Sequence, residues 1–122
     1  MSLSANDKLH LLHIIDAIYE VESYLNHTTN EEFLNNSMMR AATVKQMEIM
    51  ANAAQKVSPF IKSKHPEVPW PVFLNFSRNL VHEAYGINYE LVWTSAKRDI
   101  PNLKRKFEKL LAIEGLDSGF DD

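Results

Sequence analysis

The chain has no cysteine among its 122 residues. This absence excludes disulfide bonds, thiolate nucleophiles and zinc sites with cysteine ligands. The sequence also lacks a run of about 18 apolar residues, the length that a membrane-spanning helix needs. Its first residues show neither the basic start nor the apolar core of a signal peptide. We therefore expect a cytoplasmic protein that does not enter a membrane.

Glycine is scarce, with three residues, and four of the five prolines fall between positions 59 and 71. This pattern favours long helices joined by one irregular connector. The net charge of −3 argues against a protein that coats nucleic acid through bulk electrostatics. The length predicts a single domain over residues 1–122, in which residues from about 114 to 122 form a flexible acidic tail.

The residue pattern predicts an all-α protein, because nothing alternates over the four or more residues that a half-buried strand needs. Ser4 and Asp7 are spaced as in a capping box, Thr29 and Asn88 can cap later helices, and Pro101 should either kink or divide the last helix. We expect an antiparallel up-and-down bundle. Its four main helices should lie at about 4–26, 37–57, 70–85 and 89–113, with short extra helices at 30–34 and 60–64.

A metal site is conceivable at Asp7, His10 and His13, which share one face of the first predicted helix. A partly exposed helical face carries such residues without any metal, so we expect none here. The sequence also has no glycine-rich phosphate loop, no Gly-x-Ser-x-Gly elbow and no His-Glu-x-x-His pair. We therefore expect no cofactor.

Arg78 and His82 are the best candidates for chemistry, because they lie one helical turn apart on one face. Asn79 and Tyr85 could join them near the helix end. A fixed cation that binds phosphate and a histidine that moves protons near neutral pH are the minimum for cutting RNA without a metal. From spacing alone, a surface ion pair beside a helix-terminal histidine explains the same residues.

A basic stretch follows in the last predicted helix, where Lys97, Arg98, Lys104 and Arg105 could guide RNA. A solvated basic face near a helix C-terminus, favoured by the macrodipole, is the simpler interpretation.

Several segments, in order, resemble one family. They are Glu32-Phe33, Met47–Ala54, Ser58 with Pro66–Trp70, Arg78–His82, Gly86–Trp93 and Asp99–Pro101. From Asn6 to about Leu111 the chain resembles the HepT-like family of HEPN domains. The resemblance implies a helical bundle that forms a homodimer, a ribonuclease toxin and a nucleotidyltransferase antitoxin as its partner. It also implies an arginine and a histidine for RNA cleavage, followed by a tyrosine that the antitoxin can adenylylate.

The chain departs from the family signature, which is an arginine, four residues, a histidine, one residue and a tyrosine. His82 falls on the family histidine, but the arginine position falls on Ser77 and Arg78 is the next residue. Tyr85, the candidate for modification, likewise comes one residue late. A shift of one residue rotates a helical side chain by about 100°.

Two hypotheses follow from the resemblance. In the first, the protein is a metal-independent endoribonuclease in which His82 is the general acid or base and Arg78 binds the scissile phosphate. Asn79, Glu83 and Ser77 would then support the site, with Glu83 orienting His82. In the second, the protein is a non-catalytic HEPN scaffold that binds a nucleotidyltransferase or RNA. A helical bundle that only oligomerises is a third alternative.

Overall fold

A computed structural model of the chain describes residues 3–80 and 86–116, apart from the side chains of residues 79 and 80. The described residues form helices and no strand, so the predicted all-α helical bundle is confirmed. The elements are α1 (Ala5–Leu25), α2 (Asn30–Leu34), α3 (Ser37–Lys56), α4 (Pro59–Lys64), α5 (Trp70–Leu80) and α6 (Tyr89–Ile113).

Side-chain caps explain where the helices begin. Thr29 makes a complete capping box with Glu32: its hydroxyl accepts from the Glu32 N–H, and the Glu32 carboxylate accepts from the Thr29 N–H. Single side-chain caps open the long helices: Ser4 for α1, Asn36 for α3 and Asn88 for α6. Each cap satisfies an amide that the helix leaves unpaired, so these boundaries follow from local sequence.

The prediction at Asp7 was wrong in one respect. Its backbone N–H donates to Ser4 Oγ, but its carboxylate accepts from Ser58 N–H at 2.8 Å and Ser58 Oγ at 2.6 Å. Ser58 is the N-cap of α4, and its hydroxyl also accepts from the Ile61 N–H. Asp7 therefore fixes the start of α4 against α1 rather than closing a capping box.

Pro101 lies inside α6 without dividing it, so the alternative in which α6 splits is wrong. Proline removes one backbone hydrogen bond from a helix interior and crowds the preceding turn. Here Pro101 itself is exposed, whereas Ile100 and Leu103 on either side are buried. The burial of these neighbours keeps both halves of α6 against the bundle.

One core lies between the four long helices, and α1 is its centre. Leu11, Ile14, Ile15, Ile18 and Val21 form the buried stripe of α1, and all are fully enclosed. Met47 and Met50 of α3 also fill the core, and neither has any exposed surface. α1 packs against α3 and α6, and α5 packs against the same two helices.

The end of α6 is tied to the connector after α4 by a buried ionic contact. Glu114 Oε2 lies 2.6 Å from His65 Nε2 and 2.9 Å from Lys64 Nζ, and the glutamate side chain is only 6% exposed. The Trp70 indole N–H donates to the His65 carbonyl at 3.0 Å, which connects the same contact to the start of α5. The predicted flexible tail began at about Glu114, but this residue is held in the contact just described. Residues 117–122 lie outside the described part of the chain.

Within the described residues, no helix combines the length and the apolar character needed to cross a bilayer.

The contact at Glu114 predicts an acid-dependent loss of stability. Burial alone would raise the pKa of Glu114, but the hydrogen bonds from His65 and Lys64 and their charges outweigh it and lower the pKa below 4.5. A carboxylate with a depressed pKa stabilises the fold fully above the unfolded pKa and loses that contribution as pH falls through the folded value. We therefore expect Glu114→Gln to destabilise the protein at neutral pH and to cost progressively less below about pH 4.5.

Urea unfolding from neutral pH down to about pH 3 measures this difference. Glu48→Gln is the matched control, because Glu48 is exposed in the middle of α3. A difference between wild type and Glu114→Gln that stays constant into acid would contradict the proposed role of the carboxylate.

Candidate functional site

The candidate site begins at the last turns of α5, whose register is fixed by two buried rings. Phe73 and Phe76 are almost completely enclosed and meet edge to face, with ring centroids 6.3 Å apart. Phe73 also packs against Phe107 of α6, at 6.1 Å, and against Trp70, at 6.0 Å. These contacts determine which side of α5 faces the core and which side faces solvent.

Ser77 and Arg78 consequently face different surroundings. Ser77 lies one turn after Phe73 and is half-buried, whereas Arg78 lies one turn after the exposed Leu74 and is itself exposed. Arg78 is about 200° around the helix from Phe76. The displaced arginine therefore stands on the solvent side of α5, and the family's arginine position lies on the flank of the core.

The other predicted members of the site are not described by the structure. His82, Glu83 and Tyr85 fall in residues 81–85, outside the described residues, and so does the side chain of Asn79. The roles given to these four residues therefore stay predictions. The chain is described again from Gly86, whose φ of +77° is a conformation that glycine adopts without strain.

The four basic residues predicted to guide RNA differ in what they contact. Arg98 forms a two-point contact with Asp99, at 3.1 Å and 3.2 Å, and this hydrogen bond together with the carboxylate charge raises the pKa of Arg98. Arg105 donates to Asn102 Oδ1 at 2.8 Å. Both contacts are local to α6 and exposed, so neither holds the fold together.

Lys104 has a structural role that the sequence did not predict. Its ammonium lies 2.9 Å from Glu22 Oε2 and so joins α6 to α1. Tyr19 of α1 reaches back and donates to Glu108 Oε2 at 2.8 Å. Burial first, then the hydrogen bond and charge of Glu108, raise the pKa of Tyr19 to about 12. The lysine is thus engaged in helix packing.

Lys97 is the fourth of the basic residues predicted to guide RNA. It lies beside Trp93, which, like Tyr89 and Arg40, was not predicted as a site residue. Its ammonium lies 5.5 Å from the ring centroid of Trp93, and the guanidinium of Arg40 lies 4.7 Å from that of Tyr89. Tyr89, Trp93 and Lys97 recur every four residues, which is a signal available in the sequence. Arg40 comes from α3 and gave no such signal, because its partner is distant along the chain.

The residues considered for a metal do not gather into a site. Asp7 is bonded to Ser58, and the rings of His10 and His13 lie with centroids 6.4 Å apart at an angle of 68°. Across residues 3–80 and 86–116, no group of three histidine, aspartate or glutamate side chains could hold a metal ion.

Comparison with known proteins decides the family. A family model described as "Ribonuclease HepT-like" matches residues 14–110, which include all of α2 to α5 and most of α1 and α6.

The chain belongs to the HepT-like family.

Relatives of similar length support the same assignment. A protein of Methanocaldococcus jannaschii, provisionally named as an RNase, is 33% identical over 108 residues, which are 85% of this chain and 89% of the relative. A second protein of that organism, with the same provisional name, is 31% identical over 77% of this chain and 87% of its own length. A protein of Thermococcus cleftensis, provisionally named ribonuclease HepT, is 32% identical over 88% of this chain and 98% of its own length. No solved structure matches the chain.

The contacts of the basic residues predict that Lys104 and Arg105 behave differently when truncated. We expect Lys104→Ala to lower the free energy of unfolding by up to about 1 kcal/mol, because it breaks the contact with Glu22. Arg105→Ala is the matched control and should stay within about 0.5 kcal/mol of wild type. Chemical denaturation measures both, and a cycle with Glu22→Ala isolates the pair. Equal losses for Lys104→Ala and Arg105→Ala would refute the structural role of Lys104.

Proposed function

We propose that the protein is a metal-independent endoribonuclease and the toxin of a toxin–antitoxin module. The observation that carries the proposal is the exposed Arg78 at the end of α5, four residues before His82, in a HepT-like chain whose relatives are provisionally named as RNases. Because Arg78 is exposed, its guanidinium can bind a phosphate without breaking any buried contact.

The proposed reaction uses the ribose 2′-hydroxyl as nucleophile. A base, His82, removes its proton, and the oxygen attacks the adjacent phosphorus. The bond from phosphorus to the 5′-oxygen breaks, and that oxygen takes a proton from an acid. The products are a 2′,3′-cyclic phosphate and a 5′-hydroxyl. Arg78 stabilises the charge that develops on the phosphate oxygens.

The proposal includes a homodimer. One histidine cannot donate and accept a proton in the same step, and two copies would place two pairs of Arg78 and His82 in one cleft. Glu83 and Asn79 would orient His82 and the phosphate, and Ser77 would lie beside them. A nucleotidyltransferase antitoxin is the proposed partner, with Tyr85 as the residue that it modifies.

A second candidate function is a scaffold without catalysis that binds a nucleotidyltransferase or RNA. The position of Ser77 favours it, because this half-buried residue occupies the arginine position of the family signature. If the cleft of the dimer needs the arginine on that flank, Arg78 is too far around α5 to act.

Cleavage of RNA in the presence of EDTA separates the two functions. We expect wild type to cleave, His82→Ala to lose about 10²- to 10⁴-fold in rate, and Arg78→Ala to lose about 10²- to 10³-fold. Lys8→Ala, which removes an exposed cation near the start of α1, should cleave like wild type. If wild type and His82→Ala cleave equally, the ribonuclease proposal is wrong.

Moving the arginine tests the register of α5 directly. The double variant Ser77→Arg with Arg78→Ser places the cation at the position of the family signature and leaves the composition unchanged. If wild type cleaves and this variant cleaves equally well or better, the site accepts the arginine at either position of α5. An inactive wild type with an active double variant would support the scaffold, since only the displaced arginine would then prevent catalysis.

A further inference from the structure

The first turns of α6 present aromatic rings and cations in a continuous row. Tyr89 and Trp93 are one turn apart, both are partly buried, and Lys97 follows at the same spacing on the same face. Four residues of helix advance roughly 6 Å, so the two rings lie about that far apart along the axis. Arg40 of α3 covers the Tyr89 end, and Lys97 covers the Trp93 end. We call Arg40, Tyr89, Trp93 and Lys97 the aromatic face.

Contacts with the core hold the rings in place. The Trp93 ring packs at 5.2 Å from the ring of Phe33, which is completely buried in α2. Asn88 caps α6 immediately before Tyr89. Because the core already fixes these side chains, a ligand that stacks on them would lose little side-chain entropy on binding.

The two cations of the aromatic face differ from three lysine and arginine residues that contact a carboxylate. Lys64, Arg98 and Lys104 each contact a carboxylate. Within the described residues, neither Arg40 nor Lys97 forms an ion pair. Arg40 donates to the Leu34 carbonyl at 2.7 Å. The positive charge at both ends of the aromatic face is therefore available to an anion.

Two buried polar atoms lie at the Arg40 end. Arg40 Nε and Thr43 Oγ1, one turn apart on α3, are enclosed and have no hydrogen-bond partner among the residues that the structure describes. Buried polar groups of a folded protein are usually bonded. The Arg40 end therefore has hydrogen-bonding capacity that the described residues do not use.

We propose that the aromatic face binds single-stranded RNA, with bases stacked on Tyr89 and Trp93 and phosphates held by Arg40 and Lys97. Aromatic rings interleaved with cations suit a strand whose bases are unpaired, because every base has a face to stack and every linkage a negative charge. The inference rests on the proposed function, which makes RNA the substrate. Only three residues separate Tyr89 from the segment that carries His82, so the aromatic face and the proposed catalytic histidine are close along the chain.

The fluorescence of the two tryptophans tests this proposal, because each can be observed alone. The probe is a 2′-O-methyl oligouridine of about ten nucleotides, which is single-stranded and cannot be cleaved through its 2′ position. In the Trp70→Phe variant only Trp93 emits, and we expect the probe to quench it. In the Trp93→Phe variant only Trp70 emits, and its signal should not respond.

Binding of a labelled probe then measures the contribution of each side chain. Trp93→Leu should weaken binding at least about fivefold, which corresponds to the loss of one stacked base. Lys97→Ala should reduce the slope of log affinity against log salt by about 0.7, the value for one lost phosphate contact with a single strand. Lys8→Ala is the matched control, since Lys8 is exposed on α1 near the start of α4. If Trp93→Leu does not fold, the salt dependence of probe binding by Lys97→Ala tests the proposal instead, because Lys97 is exposed.

The outcomes distinguish this proposal from the ribonuclease proposal. A response from Trp70 alone, or unchanged binding in Lys97→Ala, overturns the role of the aromatic face even if the protein cleaves RNA. A Trp93 signal that changes with protein concentration in the absence of probe also overturns it, because the face would then bind a second copy. Quenching of Trp93 by the probe, together with no cleavage of unmodified RNA by the wild-type protein in EDTA, supports the aromatic face and rejects the ribonuclease.

Discussion

The packing of Phe73 against Phe76 and against Phe107 of α6 is the contact on which the candidate site depends. Both rings of α5 are buried, so the rotation of this helix about its axis is determined by the core. Ser77 is thereby held on the flank of the core and Arg78 on the solvent side. Removing a buried phenylalanine side chain costs about 3–5 kcal/mol, far more than one surface contact of an arginine can return. α5 therefore cannot rotate to bring Arg78 to the Ser77 position.

The basic residues also divide into two groups: those that form ion pairs between packed elements and those that have no carboxylate partner among the described residues. Lys104 bonds to Glu22 across the interface of α1 and α6, and Lys64 bonds to Glu114 where the chain leaves α6. These ion pairs connect helices that the core has already brought together. Lys97 and Arg40 instead lie over aromatic rings at the other end of α6. The basic stretch of α6 therefore contains one lysine, Lys104, that joins two helices and another, Lys97, that has no carboxylate partner among the described residues.

The elements could be predicted from sequence because their signals are local. Caps such as Thr29 and Asn88 act within one helical turn, and the spacing of apolar residues indicates the buried side of each helix. The partners of Asp7, Glu114 and Lys104 could not be predicted, because each lies in a different helix or connector and depends on the packed bundle. Pro101 shows the same limit: the local rule allows a division, and the burial of Ile100 and Leu103 prevents it. At the site, the sequence predicted the segment from Ser77 to Tyr85, and the fold shows that its first two residues face different ways.

We propose that Arg78 and His82 cut RNA through its own 2′-hydroxyl. The most direct measurement compares an RNA oligonucleotide with the same sequence as DNA, in EDTA, and identifies the ends of any product. Under the proposed mechanism only the RNA is cleaved, with 2′,3′-cyclic phosphate and 5′-hydroxyl ends that His82→Ala does not form. Cleavage of the DNA, or RNA products that carry 5′-phosphates, would contradict it.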